Sequence, residues 1–239
     1  MLTLQDIFNH LTSSEMNQMQ FTGDIDAPKG ITAESYPILI DYLNLALTAI
    51  HTRLNLKERE VAIGQLDELS FYILDSKYAE SNPSYPELPK YIQDTEENPF
   101  QDDVIRIERV FDEIGNELPI NDDNDEASVY LPRYNMIQVP YPATENTMFV
   151  LYRANHVKID RDVTDPETVE VDIPDYCLEA VTAFMVSKAY ARSSSVEQQN
   201  AAIMYMNKYN MSCDELETRN VLHNNPNDTI TKLEMNGWV

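Results

Sequence analysis

At 239 residues, 43% of them hydrophobic, the chain holds enough apolar material to bury a core as one domain or two small ones. Its 41 acidic residues face only 17 basic ones, a formal net charge of −24, and so negative a surface repels nucleic acid and anionic lipid. Asp41 and Asn44 interrupt the longest apolar run, at 38–50, well short of a bilayer span, and residues 1–10 lack the basic and apolar regions of a secretory signal.

Leu4, Ile7, Phe8 and Leu11 are spaced as the apolar face of a short helix. A Met- and Gln-rich stretch ending at Gly23 and Gly30 follows and reads as a connection. A long helix is predicted over 34–54, with Leu39, Leu43, Leu47, Ile50 and Leu54 as its buried stripe and Ile40 and Ala46 widening it. Pro37 falls in the first turn, where proline is tolerated.

From 57 to 172 the period changes from 3.6 to 2. Glu58, Glu60 and Ala62 alternate with Arg59, Val61 and Ile63, and 71–74 is aromatic and apolar. Residues 103–111 alternate again, with a turn at Gly115 and a return strand at 117–120. A second hairpin is predicted from 136–139 to 147–154 around Pro140 and Pro142, and a last short strand at 168–171. Short strands punctuated by Pro, Asn, Asp and Gly indicate a small antiparallel sheet or sandwich.

Helical spacing resumes at 173–213. Pro174 fixes the entry, and Asp175 and Glu179 lie in the first turn, where the helix dipole favours negative charge. Cys177, Ala180, Val181 and Phe184 form one apolar face. Ser193, Ser194 and Ser195 stop this helix, and Ser195 with Gln198 reads as the capping box of the next. The second apolar face is Ala202, Tyr205, Met206, Tyr209, Cys213 and Leu216. So short a connection makes the two helices antiparallel neighbours. Cys177 and Cys213, the only cysteines, fall on these faces and are expected as buried free thiols in a reducing compartment, with a disulfide as the alternative.

Few motifs suggest chemistry. Asp160-Arg161-Asp162-Val163-Thr164 fits the DxDxT nucleophile loop of haloacid-dehalogenase-like phosphatases, but it lies between antiparallel-type strands, and no later loop offers the Lys and paired carboxylates needed for Mg²⁺. A charged hairpin turn is the simpler reading. Residues 121–126 cluster carboxylates like a Ca²⁺ loop but lack the Gly and Glu positions of an EF-hand, so a solvated turn is expected. His10, His51, His156 and His223 have no zinc-site spacing, and the five glycines form no phosphate-cradling loop. The sequence therefore predicts no catalytic residue, no cofactor site and no metal site. The acid concentrates at 94–126, where Arg106 and Arg109 are the only basic residues.

The order of segments resembles the head-to-tail adaptor (connector) proteins of tailed bacteriophages, podovirus-like, over roughly 31–239. The resemblance rests on "NLALTAIHTRLNLKEREVAI" at 44–63, "SFYILDSKYA" at 70–79, "DDVIRIERVFDEIGNELPIND" at 102–122, "IPDYCLEAVTAFMVSKAYARSS" at 173–194 and the terminal "NGWV" at 236–239. It implies a non-enzymatic virion component in the neck between capsid and tail, assembled in the host cytoplasm. Such a protein forms a homo-oligomeric, dodecameric ring between the portal protein and the tail nozzle or tube. DNA would pass through without specific binding, and part of the acidic excess, with 94–126 as candidate, would line the conduit. An acidic DNA-mimic inhibitor is the alternative from another class.

The expected fold class is α+β: a helical bundle from N- and C-terminal segments with an inserted antiparallel β region. Residues 1–30 form a variable N-terminal extension, 31–56 with 173–222 a discontinuous bundle, 57–172 the β insertion, and 223–239 a C-terminal arm. Pro226 breaks the chain before that arm, whose Leu233, Met235, Trp238 and Val239 are the candidate portal-binding residues; a disordered terminus is the alternative.

Overall fold

The computed structural model describes residues 2–15, 31–144, 146–192 and 195–218. In chain order the elements are β1 (Leu2–Thr3), α1 (Leu4–His10), a π-helical turn (Leu11–Glu15), α2 (Tyr36–Arg53), β2 (Glu58–Gly64), β3 (Phe71–Ile73), β4 (Ile92–Gln93), β5 (Val104–Phe111), β6 (Tyr130–Arg133), β7 (Met136–Gln138), β8 (Thr147–Ala154), β9 (Glu170–Val171), α3 (Leu178–Ala191) and α4 (Val196–Thr218). The protein is α+β. Its described residues fall into a helical unit, drawn from Met1–Leu54 and Lys158–Val239, and a β unit, Asn55–Val157.

In the helical unit, α2 buries Leu39, Leu43, Leu47, Ile50 and Leu54 as the 3.6-residue period predicts. α3 is different. Its periodicity suggests one apolar face, yet every residue from Ala180 to Ser187 is buried, because α2 packs on one side, α4 on another, and α1 with the π-helical turn adds further cover. Thr182 and Ser187 stay buried by donating their hydroxyls to backbone carbonyls, Thr182 to Leu178 (2.8 Å) and Ser187 to Ala202 on α4 (2.8 Å). α4 then buries Ala202, Tyr209, Cys213 and Leu216 against this core, with Phe184 and Tyr209 meeting edge to face at 5.2 Å. Arg53 ties the end of α2 to α4 through Asp214 and through Glu217 at 2.8 Å.

Two expected boundaries move. The first residues are core, not an extension apart from it: Leu4, Ile7, Phe8 and Leu11 are all buried. Thr3 opens α1 with a full capping box, its hydroxyl accepting from the Asp6 N–H (3.2 Å) while the Asp6 carboxylate accepts from the Thr3 N–H (2.9 Å). Residues 158–172, expected within the β insertion, also belong to the helical unit. β9 pairs with β1, setting Leu2 opposite Val171, and the Leu4 N–H donates to the Val169 carbonyl (2.9 Å). Asn44 clamps the same segment, donating to the Ile159 carbonyl and accepting from the Ile159 N–H, each at 3.0 Å. In the sequence Asn44 registers only as an interruption of an apolar helix.

The β unit contains a four-stranded antiparallel sheet in the order β4-β2-β8-β5 and a three-stranded one in the order β3-β7-β6. β8 alternates strictly, burying Met148, Val150, Tyr152 and Ala154. The buried tyrosines keep their hydroxyls satisfied: Tyr72 accepts from the Leu66 N–H (2.9 Å), Tyr91 from the Ile73 N–H (2.8 Å), and Tyr152 donates to Asp103 (3.0 Å).

The first predicted hairpin is short and the second does not form. β5 pairs with β8 along one edge, and on the other the turn around Gly115 closes with the Phe111–Glu117 bridge and a hydrogen bond from the Leu118 N–H to the Val110 carbonyl (2.8 Å), after which Ile120 bridges Val129 instead. β7 pairs with β3 and β6 instead of β8, because Pro140 and Pro142 remove donors where the ladder would continue and the chain changes sheet.

Leu47 and Val181 are 1% and 0% exposed, so placing an unpaired carboxylate at either disrupts the same core. Leu47→Asp and Val181→Asp should each cost about 3–5 kcal/mol, measured as the loss of unfolding free energy in urea.

Candidate functional site

Among the described residues, those singled out for chemistry do not converge on one site. Asp160 and Asp162 lie in an exposed turn, where the Asp162 N–H donates to the Asp160 carboxylate (3.0 Å) and Arg161 reaches Asp41 on α2 (3.4 Å). His51 is buried on α2, and His156 is buried with Nδ1 2.8 Å from the Val157 carbonyl oxygen. Among the described residues no three His, Cys, Asp or Glu side chains converge as metal ligands. None of the described helices is long and apolar enough to cross a membrane. His223 and the arm residues Leu233, Met235, Trp238 and Val239 lie outside the described residues.

Much of the acid is employed in local structure. Asp75, Asp112, Asp122, Asp125, Asp160 and Asp165 each accept from the backbone N–H two residues later, the Asx-turn pattern that makes Asp a turn former. The densest segment is also less bare than its sequence. Glu108 pairs with Arg106 (2.6 Å) and Arg153 (3.0 Å), and Arg59 reaches Asp103 (3.0 Å), so cations from β2 and β8 enter a stretch with only two of its own. Asp94 is held below the usual carboxylate range: burial pushes it up, but hydrogen bonds from Ser81 and from the Phe100 N–H outweigh that. Glu96, Glu97, Glu113, Asp122, Asp123, Asp125 and Glu126 remain exposed.

The surface of α4 stands out against this background. Ile203, Met204 and Met211 are 61%, 58% and 71% exposed. At about 100° per residue they fall on the side of α4 opposite Ala202, Tyr209, Cys213 and Leu216. With Asn200 and Asn207 they line an open groove, edged by Glu215 and by Lys208, which ion-pairs with Glu179 on α3 (3.4 Å). An exposed apolar patch of Ile203, Met204 and Met211, with charge only at its edges, has the chemistry of an assembly surface. Sequence periodicity misses it, since it rewards the buried stripe. The usable signal is large apolar residues left over on the opposite side. Two more exposed apolar residues, Ile114 and Tyr141, occupy turns of the β unit, one beside Gly115 and the other between two prolines.

The fold thus defines an α+β protein whose described residues form two units. No protein-family model matches the sequence, and no curated protein matches it.

Cys177 and Cys213 are free and fully buried. Burial, reinforced by proximity to Cys213, pushes the Cys177 thiol up to about 12, and burial raises Cys213 and Tyr209 as well. The folded state therefore holds protons that the unfolded chain releases from its thiols near 9.0 and its phenols near 10.0. This contribution to stability is fully present below those unfolded values and is lost as pH rises towards the folded ones. The urea midpoint should fall between about pH 8 and about pH 11. Ellman's reagent at neutral pH should react with neither thiol until denaturant is added.

Proposed function

We propose that this chain is a structural virion protein, the head-to-tail adaptor ring that joins portal to tail in a tailed bacteriophage and forms part of its DNA conduit. It acts without catalysis, as one copy of a dodecameric ring in the neck. The portal lies on one side and the tail nozzle or tube on the other. The observation that carries this reading is the apolar face of α4, with Ile203, Met204 and Met211 exposed on a chain of net charge −24. A second copy is its occupant. Each subunit of a ring presents a patch to one neighbour and a different patch to the other, so a helix face directed away from its own core is suited to lateral contact.

Charge supports the same reading. A conduit lined by Lys and Arg would hold DNA through counterion release, whereas excess carboxylate lets it slide. A DNA mimic needs carboxylates spaced along one face like phosphates. Here Asp112, Asp122, Asp125 and Asp160 fold back onto their own turns, which weighs against that alternative.

Sedimentation of the full chain, alone and mixed with portal-bearing capsids, should yield ring-sized assemblies or capsid-bound rings. Ile203→Asp with Met211→Asp should abolish them while leaving the far-ultraviolet circular dichroism unchanged. A chain that stays monomeric and unbound in both settings would overturn the adaptor reading.

The C-terminal arm is assigned to the portal in this proposal, with Trp238 as anchor and Leu233 and Met235 beside it, because a large aromatic side chain concentrates interface energy. Deleting residues 229–239 should leave the subunit folded and prevent attachment to DNA-filled heads. Normal attachment by the truncated chain would remove the arm from the mechanism.

A further inference from the structure

The β unit contains a second feature that the ring does not require. A cavity of about 280 Å³ opens between the turn after β5, the segment before β6, and the loop joining β7 to β8. Its floor is apolar, built from Leu118, Val129, Val139 and Met148. Ile114 and Tyr141 flank it at 78% and 82% exposure, the two most exposed large apolar side chains among the described residues. Carboxylates of Asp112, Glu113 and Glu126 lie along its wall, and no Lys, Arg or His lines it.

The walls are tied in place. The Gln65 amide oxygen accepts from the Ala143 N–H (3.1 Å), and the Gln65 N–H donates to the Asn146 carbonyl (2.9 Å). Asp67 and Thr144 bond reciprocally, each N–H donating to the other's side chain at 3.1 and 3.0 Å. On the opposite wall the Asp112 carboxylate is committed to its own turn, accepting from the Ile114 N–H (3.0 Å) and the Asn116 N–H (2.8 Å). Ser128 is buried and braces the third wall, accepting from the Asp122 N–H (3.0 Å) and lying 3.2 Å from the Pro119 carbonyl. The cavity therefore costs little ordering to occupy.

We propose that this cavity is a docking pocket for an arginine- or lysine-bearing segment of a partner polypeptide. The cationic head would lie against Glu113 and Glu126, and its apolar neighbours would cover Ile114 and Tyr141. The volume is at the lower end of ligand pockets, suited to one long side chain. An aliphatic stem fits the apolar floor while its charged tip reaches the acidic rim, and Tyr141 offers a ring face to the cation. Phosphate, nucleic acid and acidic peptides meet only like charge here. This inference is independent of ring formation.

The test is a ¹⁵N NMR titration of the full chain with a capped leucine–arginine–leucine tripeptide, its leucine–glutamate–leucine counterpart and free arginine. The arginine tripeptide should shift the amides of Ile114, Ala127 and Tyr141 saturably. Glu113→Gln with Glu126→Gln should weaken that binding about tenfold, because both charges that would face the cation are removed. Tyr141→Ala should weaken it too, while the thermal midpoint of each variant stays unchanged. Equal shifts from the glutamate tripeptide, no saturable shift at millimolar peptide, or equally tight binding of free arginine would each overturn the proposal. The last would indicate a small-molecule site.

Discussion

The helical unit depends on the burial of α3 on every side. A helix with no solvent face cannot be stable alone, because its turns are held by the surfaces that surround it. From Ala180 to Ser187 the side chains are apolar, ranging in size from Ala180 to Phe184, with Thr182 and Ser187 as the exceptions. Both hydroxyls are satisfied by backbone carbonyls, so neither introduces an unpaired polar group. α2 and α1 come from one end of the chain and α4 from the other, so the unit closes only when both ends are present. This is why the β unit can occupy the middle of the sequence without dividing the helical core.

The second constraint is electrostatic. A chain of net charge −24 repels itself, and folding concentrates that charge. The structure limits the cost by using aspartates as turn formers, where the carboxylate gains backbone hydrogen bonds, and by bringing Arg59 and Arg153 from other strands to Asp103 and Glu108. The remaining exposed acid is spread over both units, from Asp6 to Glu217, with a dense cluster in the exposed loop at 121–127. There it can set the surface potential without opposing the packing of the sheets.

The uncharged parts of the surface are the ones on which the proposed role rests. On α4 the exposed Ile203, Met204 and Met211 face away from the helical core, and in the β unit Ile114 and Tyr141 flank a cavity with acidic walls. The two faces differ in kind. The first is a wide, largely neutral groove suited to another helix or a subunit. The second is a small recess whose charge selects the sign of what enters. In the proposed adaptor role, a surface of the first kind would meet a neighbouring subunit and a recess of the second kind would distinguish partners.

The sequence by itself determined which residues turn inward along most elements, α3 excepted. The stripe from Leu39 to Leu54, the alternation of β2 and β8, and the series Ala202, Tyr209, Cys213 and Leu216 all follow from the 3.6- and 2-residue periods, and with them the α+β class, while Tyr205 and Met206, expected on the same face of α4, are only half-buried. Tertiary structure decided which elements meet. A period specifies a face but not the surface that covers it, so β7 could pair with β3 and β6 instead of the nearby β8, and residues 158–172 could join the helical unit through Asn44 and β1. The same limit hid the candidate sites. An apolar side chain has the same chemistry in a core or on an interface, so only the packed structure shows that Ile203 and Met211 are left outside while Val181 is enclosed.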